Sequence, residues 1–80
     1  MKDQDILTHI NDLVSEEHDL RGRAETGVLM PSDTERLEAI EVQLDRYWDL
    51  LRQRRARRDA GQDPDIAHIR SADTVEHYKQ

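Results

Sequence analysis

The 80-residue chain predicts an all-α fold, an antiparallel two-helix hairpin with a coiled-coil-like seam and a C-terminal arm. Three observations carry this reading. Apolar residues recur at helical spacing in two long blocks, only a short connection separates the blocks, and the two seams stay in phase when laid antiparallel. Composition agrees: 35% of residues are apolar, 38% are charged, there is no Phe and only one Trp. That balance belongs to long exposed helices rather than to a β-sandwich or a disordered chain. So thin a core does not suit a self-sufficient globule, and two hairpins are expected to pair as a homodimeric four-helix bundle.

The first helix is expected over about residues 3–26. Ile6, Ile10, Leu13, Leu20 and Ala24 mark its apolar stripe, and Gly27 stands where a left-handed C-cap residue is wanted. The second is expected over about residues 33–60, opened by a capping box of Ser32 with Glu35 and stopped by Gly61. Its seam runs through Leu37, Ile40, Leu44, Tyr47 and Leu51. The connection GVLMP is short enough to make the helices antiparallel neighbours. Setting Ala24 against Leu37 then sets Leu20 against Ile40, Leu13 against Tyr47 and Ile10 against Leu51. Ile6 falls at Arg54 and Arg55, so the hairpin occupies residues 1–61. Residues 62–80 form the arm. Asp63 with Pro64 offers a helix start there, but Ile66, Ile69, Val75 and Tyr78 are too few to fold it alone. Short helical turns, lying in a groove of this hairpin or of a partner, are the most it supports.

Several function classes are excluded by what the sequence lacks. Without cysteine there is no disulfide, thiolate catalysis or Cys-based zinc site. No glycine-rich phosphate loop and no nucleophile with a positioned base can be found, so neither an enzyme nor a bound cofactor is expected. No stretch approaches the roughly 18 apolar residues of a membrane span, and MKDQDILTH lacks the apolar core of a signal peptide. A cytoplasmic location and no membrane partner are therefore expected. A net charge of −6 opposes polyanions in general.

The run WDLLRQRRARRDAG places Arg52, Arg54, Arg55, Arg57 and Arg58 within seven residues. On the helical wheel Arg55 and Arg58 continue the seam, Arg52 and Arg54 flank it, and Arg57 points away, so no single basic stripe results. Residues 52 to 58 carry +5, leaving −11 for the rest. Asp3 and Asp5 lie opposite this basic end in the hairpin register, and cations suit a helix C-terminus. The arginines therefore read as contacts to acidic protein groups, within the chain or on a partner, ahead of nucleic acid. Tyr47 and Trp48, with Leu50 further round, widen the apolar surface beyond what one helix can cover and are candidate partner contacts.

Glu17 interrupts the first stripe opposite Leu44, where an apolar residue is wanted. Arg21, one turn on, is its nearest counter-ion, and a polar seam residue that fixes register is preferred over a buried acid or metal ligand. Asp5, His9, Asp12 and Glu16 share a helix side at spacings compatible with a divalent metal. The Glu-x-x-His pairs of di-iron bundles are absent, however, and a solvated charged face is the expected reading, with no metal.

The segments EEHDLR, LEAIEVQLDRYWDLLRQRRARRDAGQDPD and the ending VEHYKQ together resemble a family of short, uncharacterised actinobacterial proteins known as domain of unknown function 2630. The resemblance spans nearly the whole chain and is most specific in WDLLRQRRARR with its AG-x-DP continuation. Arg46 and Tyr47 stand where the family pattern has Gln and Cys. The resemblance implies that the arm belongs to the folded unit, and it implies no activity, cofactor or partner. The functional expectation is a non-catalytic helical interaction protein that self-associates. The alternative is a nucleic-acid-binding accessory protein that uses Arg52 to Arg58.

Overall fold

The computed structural model describes residues 1–78, with side chains through residue 75. The described chain is all-helical: α1 (Asp3–Glu25), α2 (Pro31–Asp59), a 3-10 turn (Pro64–Ile66) and α3 (Ala72–Tyr78). The long helices α1 and α2 pack together as an antiparallel hairpin, and the 3-10 turn and α3 both return along α2. The molecule measures 50 × 26 × 15 Å, an elongated body little more than one helix thick.

Each helix ends as its glycine requires. Gly27 has φ +77° and Gly61 has φ +72°, a region that costs other residues a steric penalty. Past α1 the Val28 amide donates to the Arg23 carbonyl at 3.0 Å and the Gly27 amide to Ala24 at 3.2 Å. Past α2 the Gln62 amide donates to Arg57 at 2.7 Å and the Gly61 amide to Arg58 at 3.1 Å. Both are Schellman closures, which satisfy carbonyls that the helix leaves open.

The start of α2 corrects the sequence reading. The helix begins at Pro31, and the Ser32 and Glu35 capping box is not what opens it. Pro31 at the first helical position has its φ pre-set and lacks an N–H that would otherwise go unpaired. Asp33 then accepts from the Met30 amide at 3.0 Å, the role expected of Glu35. Helix α1 opens in the same way, with the Lys2 amide donating to Asp5 at 3.1 Å.

The core has two clusters joined by shared neighbours. Leu13, Leu20 and Ile40 form one beside the loop, with Leu37, Leu44 and Tyr47 against it. Ile6, Ile10 and Leu50 form the other, against which Leu44, Tyr47, Leu51, Ala67 and Ile69 pack. Leu20 thus shares a cluster with Ile40, and Ile10 with Leu51, as the antiparallel register requires. Ala67 and Ile69 belong to the arm, so the second cluster is completed only when the arm lies down. Val75 on α3 is buried as well. Tyr78 falls outside the described side chains.

Ile40 is fully buried in a core with few members. Ile40→Ala should cost about 2–4 kcal/mol, most of the roughly 3–5 kcal/mol that so small a core supplies. A urea titration followed by circular dichroism checks this by the fall in midpoint.

Candidate interaction site

The seam of α2 continues beyond Leu51 through Arg54 and Arg58, in the 4, 3, 4, 3 alternation that begins at Ile40. Arg54, not Arg55, is therefore the arginine carried inward, and only 5% of its surface is exposed. Its Nε donates to Asp3 Oδ1 at 2.5 Å, and its Nη1 donates to Asp65 Oδ1 at 3.0 Å and to the Pro64 carbonyl at 3.2 Å. Arg58 reaches the other Asp3 oxygen at 2.9 Å. Arg57 points toward the loop and donates to Gln62 Oε1 at 3.3 Å. The hydrogen bond from Arg54, followed by that from Arg58, holds the Asp3 carboxyl below the usual carboxylate range. Asp3 in turn raises the Arg54 guanidinium.

The arm is held by a second polar group that the sequence reading did not single out. Asp49 is 2% exposed and receives Arg70 through two bonds, Nη2 to Oδ1 at 2.6 Å and Nε to Oδ2 at 2.9 Å. Gln53 donates to Asp49 at 3.0 Å and to the His68 carbonyl at 2.9 Å, while Arg46 donates to the Arg70 carbonyl at 2.9 Å. The available signal was the i, i+4 pair Asp49 and Gln53 on α2 with an arginine at the centre of the arm. It becomes meaningful only once the arm is laid along that face.

Leu50 likewise corrects the reading. It is buried at the centre of the second cluster, between α1 and the arm, and offers nothing to a partner. Tyr47 is half-buried and stacks on His9, ring centroids 5.3 Å apart and planes 4° from parallel. Asp5 caps α1, Glu16 forms a two-bond pair with Arg36, and Asp12 is exposed. The Arg36 bond lowers Glu16 below its usual range. The Asp5, His9, Asp12 and Glu16 side is therefore divided among separate tasks, and among the described residues no three His, Asp or Glu converge on a metal site. Glu17 is half-buried and meets Arg21 at 3.5 Å, and Arg21 also reaches Glu41 at 3.2 Å.

Opposite the arm lies an open flank. Trp48 is 45% exposed there, with Leu7 at 38% and Val14 at 45% on the adjoining side of α1. Leu7, Trp48, Leu51, Arg52, Arg55 and Arg58 line a cleft of about 290 Å³ on this flank. Arg58 is tied to Asp3, whereas Arg52 and Arg55 extend from the exposed side of α2 with no ion-pair partner among the described residues. No helix of the described residues is long and apolar enough to cross a membrane.

Fold and site together define a small helical hairpin protein whose buried polar groups brace its ends and its arm. The chain belongs to the family described as protein of unknown function (DUF2630), whose model matches residues 2–80. It is similar to an uncharacterized protein of Mycobacterium bovis and to uncharacterized proteins from two strains of Mycobacterium tuberculosis. Each is 49% identical over 77 residues, covering 95% of this chain and 88% of the relative. No solved structure matches it.

Replacing Arg70 with Ala leaves the Asp49 carboxylate buried without its main counter-charge, which should cost about 1–3 kcal/mol. The cost should appear first as faster amide exchange over residues 62–75, with the α1–α2 contact less affected. Acid should act through Asp3 and Glu16. Their folded values lie below the unfolded ones, so their contribution is present above the ordinary carboxylate range and is lost as pH falls through the lowered values. Thermal midpoints measured from pH 7 down to about pH 2 should therefore decline below about pH 4. Asp3→Asn should lower the midpoint at neutral pH and make that decline shallower.

Proposed function

We propose that this is a non-catalytic helical interaction protein that self-associates through the open flank, two hairpins forming a homodimer. The observation that carries the reading is the exposure of Trp48 beside Leu7 and Val14 on one continuous flank. A single Trp left half in water on a chain this poor in apolar residues is an unfavourable use of its largest side chain. Covering it with a second copy removes that cost. The 15 Å thickness points the same way, because helical domains gain stability by stacking a second layer on the first.

The disposition of the arginines supports this reading over a nucleic-acid one. Arg54, Arg57 and Arg58 are engaged within the chain, which leaves Arg52 and Arg55 as the outward cations of the run. Two cations on a chain of net charge −6 make a poor phosphate-tracking surface. What remains is a small apolar centre with charged borders, the usual make-up of a protein contact.

Light scattering should give twice the 9.4 kDa chain mass at high micromolar concentration. Trp48→Ala should raise the dissociation constant by about 30-fold or more, as loss of a central aromatic contact does. A monomer mass throughout would overturn the reading. So would sub-micromolar binding of duplex DNA at about 0.15 M salt that vanishes on neutralising Arg52 and Arg55, in favour of nucleic acid.

A further inference from the structure

On the open side of α2, Glu41, Asp45, Trp48, Arg52 and Arg55 follow one another at spacings of 4, 3, 4 and 3. This is a second seam, distinct from the one that meets α1. Its charges are ordered: two acidic residues precede Trp48 and two basic residues follow it, at equal or nearly equal distances. Glu41 and Arg55 both lie seven residues from Trp48, about 10 Å along the helix axis. Glu41, Trp48, Arg52 and Arg55 are all exposed, and Asp45 is half-buried.

Resting on the self-association reading, we infer that the second copy docks by antiparallel pairing of α2 with α2, with Trp48 at the two-fold axis and Arg55 facing the partner's Glu41. An isologous contact of this kind pairs each residue before the axis with one after it. Antiparallel docking therefore brings Arg55 level with the partner's Glu41 twice over. Parallel docking would set Glu41 against Glu41 and Arg55 against Arg55, which like charges disfavour. The sign pattern is complementary to itself under a two-fold rotation, which selects a second copy of this chain over a wholly acidic or wholly basic partner. Arg21, which already holds Glu41 at 3.2 Å between two exposed side chains, borders the contact and leaves the second Glu41 oxygen to the incoming guanidinium.

Charge reversal tests the geometry. In Arg55→Glu the two facing positions are both acidic, and in Glu41→Arg both are basic, so each variant alone should dimerise about tenfold more weakly than the wild type. Mixed in equal amounts, the two variants satisfy both pairs, and native mass spectrometry of variants distinguished by isotope labelling should show the heterodimer dominating. Circular dichroism melts confirm that each variant is folded. Because the chain has no cysteine, Glu41→Cys and Arg55→Cys give a second readout independent of charge energetics. Oxidised together they should cross-link to each other, and neither should cross-link to itself. Wild-type dimers whose charge reversals neither weaken nor rescue, or self-cross-linking of Arg55→Cys, would overturn this arrangement while leaving self-association intact. A wild-type monomer would overturn both.

Discussion

Everything at the open end of the hairpin depends on one buried guanidinium. The loop joins α1 to α2 at the other end, but nothing covalent holds the start of α1 near the end of α2. Arg54 supplies that tie. It takes Asp3 from the start of α1 and Asp65 with the Pro64 carbonyl from the head of the arm, so three chain segments meet on one side chain. Desolvating a guanidinium is costly, and the site offsets the cost by engaging its planar donors along separate directions. An ammonium at this position, with donors around a single atom, would not reach across the same set.

The second constraint follows from how little apolar material there is. Ile6, Ile10 and Leu50 make a cluster that α1 and α2 only partly enclose, and Ala67 and Ile69 must close it. The arm has too little of its own to stay folded, so its position is fixed by Asp49, Gln53 and Arg46 on the face of α2 next to Leu50. Core and polar clamp are therefore interdependent: burial of Leu50 needs the arm, and burial of Asp49 needs Arg70 from that arm.

The hairpin was legible because it rests on periodicity and on two glycines, both local signals. Leu20 with Ile40 and Ile10 with Leu51 could be paired from spacing alone, and Gly27 and Gly61 mark the helix ends. What escaped depended on a partner far along the chain or on competition between local signals. Ser32 with Glu35 is a sound capping pattern, but Pro31 had already started the helix with Asp33 in place to close it. Arg54 and Arg55 are adjacent, and which one turns inward depends on continuing the seam strictly from Tyr47 and Leu51. Leu50 looked like surplus apolar surface because the arm that covers it has a weak pattern of its own. Asp49 sits between Trp48 and Leu50 and announces nothing until Arg70 arrives from 21 residues away.

Much of the grip on the arm falls on main-chain oxygens. Arg54, Gln53 and Arg46 seize the carbonyls of Pro64, His68 and Arg70. A carbonyl is the same in every residue, so these three bonds read the path of the strap and are blind to its spelling. The imidazole of His68 is accordingly free to drift to almost any side chain, whereas a shift of the strap by one residue would misalign the three carbonyls together. Where only a carbonyl is gripped, as at His68, α2 tolerates rewriting of the strap but not slippage, and insertions or deletions between Gly61 and Arg70 are the changes it is built to reject.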